Sequence, residues 1–227
     1  MIQDTVRESL PEEFQKAEYL REHGQIDLVI ERKNLRSTIS TLLTVLLKKL
    51  KHRLILTLQM LSHSIALYKN LQKRYSRRIN LNLDRIQKVL AVLGFPQLEL
   101  DQPINILGSD GKMSTLTSLK YFLQSHKKNI TTFTSPHLYD VRHRFWLKKN
   151  YITHNEIKKF TKLIESTGLP LTLFELLTCV YILAAKDQTN IHYHLIEAGL
   201  LFKKDSTNLW PEPKAQIITN INFQHQD

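Results

Sequence analysis

The segment Ile104-Asn105-Ile106-Leu107-Gly108-Ser109-Asp110-Gly111-Lys112-Met113-Ser114-Thr115 limits what this chain can fold into more than any other. An apolar run ends in glycines, a lysine and hydroxyls, and helical spacing follows, so a strand, a tight loop and a helix start are expected. Each residue type there suits a phosphate group. Glycines let backbone N–H groups approach phosphate oxygens, a helix N-terminus supplies positive dipole, lysine neutralises charge, and a hydroxyl can reach phosphate or a metal ion. The candidate phosphate-binding residues are therefore Gly108, Ser109, Asp110, Gly111, Lys112, Met113, Ser114 and Thr115, with Lys112 the candidate catalytic group. The spacing is shorter than GxxxxGK[ST], and a glycine-lysine pair taken alone also occurs in ordinary turns.

What surrounds the loop predicts an α/β fold. Strands are expected at 104–107, 130–134, 191–197 and 215–221, and helices at 112–125, 155–167 and 173–186. Alternation of this kind builds βαβ units and a mainly parallel sheet with flanking helices, whose ligands collect at the carboxyl ends of the strands. Ahead of it, Leu83, Ile86, Val89, Leu90 and Leu93 predict a helix ended by Gly94 and Pro96. Further back the chain reads as helical. Residues 12–23 carry a proline and acidic start with Gly24 as the stop, and Leu35, Ile39, Leu42, Leu43, Leu46 and Leu47 form an apolar stripe that needs a partner surface. Three parts are expected: a helical 1–47, a basic helical junction 48–78, and a nucleotide-binding 79–227.

The formal charge of +11 is concentrated early, at Lys48-Lys49-Leu50-Lys51-His52-Arg53 and then Lys69, Lys73, Arg74, Arg77 and Arg78. Such a run can attract nucleic acid or an anionic membrane, but a solvated helix face is the plainer reading, and no interleaved aromatic platform supports nucleic acid. The most apolar stretch, Leu54–Leu61, is far shorter than the ~20 residues of a membrane-spanning helix. One cysteine, Cys179, gives no internal disulfide and no multi-cysteine zinc site, so a cytoplasmic protein is expected. His192 and His194 share a face at strand spacing, yet two histidines fall short of a metal set and read as surface or packing residues. The chain has only 6 glycines, where ordinary usage of about 7% would give roughly 16, so glycine-dependent loops should be scarce or altered.

Downstream of the loop come Thr134-Ser135-Pro136-His137-Leu138, Thr172-Leu173-Phe174-Glu175, Glu197-Ala198-Gly199, Asp205-Ser206-Thr207-Asn208 and Ile218-Thr219-Asn220-Ile221, with His225 near the end. In this order they resemble the folylpolyglutamate synthase and dihydrofolate synthase family, the folate branch of the Mur ligases, over roughly residues 61–227. The resemblance implies a Mur-ligase-like P-loop domain, here an incomplete one. It also implies ATP-dependent phosphorylation of a carboxylate on dihydropteroate or folate, followed by attack of the glutamate amine to form an amide. ATP and Mg²⁺ are the implied cofactors. Carried over by position, Lys112 holds the β- and γ-phosphates, and Ser114 and Thr115 meet phosphate oxygens. Ser135, Glu197 and His225 are implied metal ligands, and Thr172, Phe174 and Asp205 implied substrate contacts.

Departures accompany the resemblance. Leu201-Phe202-Lys203 stands where the family has Gly-Gly-Arg, Met113 replaces a small residue, Asp110 an asparagine, and Gln224 an aspartate before the histidine. The rest of the ATPase domain and a glutamate-binding C-terminal domain are not expected within this sequence. Residues 2–47 instead resemble the C-terminal tail of the acetyl-CoA carboxylase carboxyltransferase β subunit, without its zinc cysteines or acyl-CoA core. The resemblances together lead to the expectation of a frame joining two gene remnants. Either a folate ligase completed by a separate C-terminal fragment follows, or a non-catalytic remnant that docks on a carboxyltransferase α subunit.

Overall fold

A computed structural model describes residues 17–22, 28–47, 51–76, 81–200 and 202–221. The chain divides into two compact units, Met1–Thr57 and Leu58–Asp227. In the first, the described elements are α1 (Ala17–Glu22), a 3₁₀ turn at Arg32–Asn34, α2 (Leu35–Leu47) and the start of α3 (Lys51–Arg74). Of the stripe expected on α2, Leu35, Ile39, Leu42 and Leu43 are each nearly half accessible.

The second unit continues α3 and adds α4 (Asp84–Val92), β1 (Pro103–Leu107), α5 (Lys112–Ser125), β2 (Ile130–Phe133), β3 (Phe145–Leu147) and β4 (Asn150–Tyr151). It then runs through α6 (His154–Glu165), α7 (Leu173–Lys186), β5 (Tyr193–Glu197) and β6 (Ala215–Ile218). One six-stranded sheet results, in the order β4-β3-β2-β5-β1-β6. β2, β5, β1 and β6 run parallel, and β3 and β4 extend the sheet as antiparallel strands. The mainly parallel α/β fold read from the sequence is the one observed.

β1, β2 and β5 are buried along almost their whole length, and their polar Asn105, Thr131, Thr132 and His194 are buried with them. One face carries Leu116 of α5 with Ile104, Ile106, Ile130 and Leu195. The other carries the larger core, built on Tyr181, Phe133, Phe145, Ile86 and Ile157 among others, with α7 buried all round. Capping boxes start both α6 and α7, through Thr153–Glu156 and Thr172–Glu175. Glu175, only 3% exposed, then takes both donors of Arg85 at 3.2 and 2.6 Å, which fastens α4 to α7.

The hairpin β3–β4 is an addition to the sequence reading. Its strands are too short for periodicity to show, and Lys148 takes the positive-φ turn position (φ 60°) where glycine or asparagine would have signalled a hairpin. His194 is buried in a network with Thr131 and Tyr181, while His192 is exposed outside β5, so they form no metal pair. Cys179 lies fully in the core, where burial pushes its thiol well up. No helix among the described residues is long and apolar enough to cross a membrane.

Candidate nucleotide and substrate site

The expected loop joins β1 to α5. Gly111, at φ 78°, is the N-cap of α5 and no side chain caps that end, so the first helical amides are left for a ligand. Gly108, at φ 130°, is pressed against the end of β6: a Cβ there would collide with Thr219 Oγ1 and lie 2.8 Å from the Asn220 carbonyl. The same two residues fix the loop by hydrogen bonds. Ser109 N–H donates to Asn220 O at 2.9 Å, Asp110 N–H to Asn220 Oδ1 at 2.8 Å, and Thr219 Oγ1 to Asp110 O at 2.5 Å. Lys112 Nζ folds back onto the carbonyls of Gly108 and Ser109 at 2.6 and 3.0 Å, which holds its charge over the loop. Met113 and Ser114 are exposed, and Thr115 N–H closes the first turn on Gly111 O.

Glu197, at the end of β5, faces this loop across a cleft of about 660 Å³. It is 3% exposed, and its Oε2 accepts from Ser135 N–H at 2.9 Å. Burial raises the pKa of its carboxyl, while the Ser135 N–H, Lys112 and Arg144 pull it down. A buried carboxylate answered by one backbone donor fits a hard cation, and the Ser135 hydroxyl supplies a second oxygen donor of the right kind. His225 and Gln224 lie outside the described residues. Among the described residues no cluster of three His, Cys, Asp or Glu is present.

A second cavity, of about 440 Å³, shares Ser135, Pro136 and Gly199 with the cleft and is lined by all three expected substrate residues, Thr172, Phe174 and Asp205. Their polar atoms are already engaged. Thr172 caps α7. Asp205 accepts from Leu200 N–H at 2.8 Å, Thr207 N–H at 2.9 Å and Thr207 Oγ1 at 2.6 Å. Phe174 stacks on Phe133 with ring centroids 5.9 Å apart. Gly199 is needed between them: a Cβ would sit 2.6 Å from the Phe174 ring and 2.9 Å from Asp205 Oδ2. Phe202, the bulky replacement beyond Gly199, is held at φ 34°.

The sequence pattern did not reveal Arg144 and His137 as a pair. Arg144 is 6% exposed and donates from Nε to His137 Nδ1 at 2.9 Å, which requires a neutral imidazole. Burial and then Arg144 push His137 down to about 4. The pair spans an irregular loop, where no periodicity could have shown it.

No family model matches the chain. Dihydrofolate synthetase of Saccharomyces cerevisiae is 34% identical over 154 residues, 65% of this chain and 36% of that protein. A separate 49-residue stretch, 22% of this chain, is 53% identical to the acetyl-coenzyme A carboxylase carboxyl transferase subunit beta of a Chelativorans species, covering 16% of it. Among solved structures, E. coli FolC in complex with DHPP and ADP aligns with a TM-score of 0.64 at 25% identity, over 72% of this chain and 39% of that one. This sequence therefore spans little more than a third of the folate enzymes it matches. Over that stretch its relatives in sequence and its neighbours in fold are folylpolyglutamate and dihydrofolate synthases, and a short segment is similar to the carboxyltransferase β subunit.

Proposed function

We propose that the second unit carries the ATP-binding part of a folate–glutamate ligase, with Lys112 and the amides at the start of α5 as the phosphate clamp. The observation that carries the reading is the shared wall. Ser135, Pro136 and Gly199 border both the cleft of Lys112 and Glu197 and the apolar cavity of Phe174. A planar substrate in that cavity would present its carboxylate toward the phosphate loop. The neighbour in complex with DHPP and ADP supports a nucleotide and a second ligand being held together.

In this reading Lys112 draws charge from the phosphates, Glu197 with Ser135 holds Mg²⁺, and the apolar cavity orients a dihydropteroate- or folate-type ring. ATP supplies the phosphoryl group that activates the substrate carboxylate before a glutamate amine displaces phosphate to leave an amide. Thr172 and Asp205 act here by shaping the cavity wall. His225, at a position the family uses for metal, completes the proposed set. We place the protein in the cytoplasm, where the buried thiol of Cys179 would stay reduced.

Because the sequence spans about a third of those enzymes, the measurable claim is nucleotide binding. Titration calorimetry with ATP and Mg²⁺ should show saturable binding that Lys112→Ala weakens roughly 30-fold, the loss of one charge-assisted contact. Equal affinity in the variant would remove Lys112 from the site. For the first unit, the carboxyltransferase likeness and the exposed apolar residues of α2 support a second reading, docking on a carboxyltransferase α subunit. Failure of the two to co-purify when co-expressed would end that reading.

A further inference from the structure

A groove of about 920 Å³ lies between α3 and α6 and shares no lining residue with the nucleotide cleft or the apolar cavity. α6 presents His154, Lys158, Thr161 and Lys162 to it, one face at helical spacing. α3 presents Met60, His63, Leu67 and Leu71, an apolar floor with one imidazole. At one end the His63 and His154 rings stand 6.5 Å apart.

Arg142 closes that end in a fixed pose. Its Nε and Nη2 donate to Asp140 Oδ2 at 2.9 and 2.5 Å, and Ser64 Oγ donates to Asp140 Oδ1 at 2.7 Å. At the far end Glu165 is occupied by Arg74 and by the Tyr75 hydroxyl. Arg142 is thus paired with Asp140 at the histidine end, where burial, Arg142, His63 and Lys158 lower the pKa of His154 against the opposing pull of Asp140.

Two polar atoms of this groove are buried without a hydrogen-bond partner, His154 Nε2 and Thr161 Oγ1, and Thr161 is only 4% exposed. Native chains seldom leave such atoms unpaired. We infer that the groove binds a small organic phosphate, its phosphoryl head met by His63, Arg142, His154 and Lys158 and its polar body by Thr161. The seven-residue step from His154 to Thr161 spans roughly 10 Å of helix, more than a phosphate group alone can bridge. The apolar floor of Met60, Leu67 and Leu71 takes the carbon skeleton.

The test uses the full chain carrying Lys112→Ala, so that the phosphate loop cannot account for the result. Ribose 5-phosphate, ribose and inorganic phosphate are titrated while histidine side-chain resonances are followed by NMR. Saturable movement of the His63 and His154 signals with ribose 5-phosphate, and none with ribose, is expected. Thr161→Val, nearly isosteric, should weaken that binding about tenfold, and Lys158→Gln, on an exposed residue, by a similar factor. Linear shifts, equal affinity for inorganic phosphate, or unchanged affinity in both variants would overturn the proposal.

Discussion

The two cavities that meet at Ser135, Pro136 and Gly199 are held by different means. Around the phosphate loop the fixing comes from outside the site, where Thr219 and Asn220 grip the loop's backbone, and the Lys112 and Glu197 side chains remain with capacity for a ligand. In the apolar cavity the polar side chains are themselves the fixings, with Thr172 capping a helix and Asp205 filled by donors from Leu200 and Thr207. Polar recognition therefore belongs to the first, and shape to the second. Substitution should separate the two, because a scaffold group lost costs stability whereas a ligand group lost costs binding.

Gly108→Ala should have the largest effect. The added methyl meets Thr219 and Asn220, and φ of 130° is unfavourable for alanine. Overpacking and backbone strain together predict a loss of roughly 4 kcal/mol, read by urea denaturation, together with loss of ATP binding. A stable variant that still binds ATP would show that the grip of β6 on the loop is not what shapes it.

Asp205→Ala tests the other side. It removes the acceptor for two buried N–H groups and a hydroxyl, so a loss of about 3 kcal/mol is expected with nucleotide affinity unchanged. If instead the variant keeps its stability and loses only pteroate binding, Asp205 is a ligand group and the contrast between the cavities fails.

An acid titration ranks next. Burial pushes His194 down to about 4 from an ordinary 6.5, and Thr131 Oγ1 lies 2.7 Å from its Nδ1. The unfolded chain takes up this proton as pH falls below about 6.5, while the native chain refuses it until about 4. Stability is thus complete above 6.5 and should fall by on the order of 2 kcal/mol between those limits. His194→Gln, followed by denaturation at several pH values, should flatten that slope.

Most of the scaffold was legible because its signals are local. Short runs rich in isoleucine, leucine and aromatic residues mark β1, β2 and β5, and Thr-x-x-Glu marks the start of both α6 and α7. The phosphate loop was legible for the same reason, since glycine, lysine and hydroxyls sit within one turn of each other. Glu197 was legible through the family resemblance, as an implied metal ligand. What escaped depends on chain crossing: the hold of Thr219 and Asn220 on a loop about 110 residues earlier, and the Arg144–His137 bond across an irregular segment. Thr172-Leu173-Phe174-Glu175 carried two meanings, since the motif that suggests a substrate contact is also the capping box that starts α7.

Glu197→Gln should have the smallest effect on stability and the most selective effect on function. Burial raises the Glu197 carboxyl above its ordinary 4.5, so the unfolded chain ionises first and the native chain holds the extra proton. Stability contributed by this group therefore falls as pH rises through that window, and at neutral pH a buried charge works against the fold. The amide removes that burden and keeps an acceptor for Ser135 N–H, so denaturation at pH 7 should show no loss, or a gain below about 1 kcal/mol. The same variant should bind ATP without metal as the parent does, yet lose the strengthening that Mg²⁺ gives the parent. A loss of stability as large as that of Asp205→Ala, with Mg²⁺ dependence intact, would move Glu197 from the ligand side of the comparison to the scaffold side.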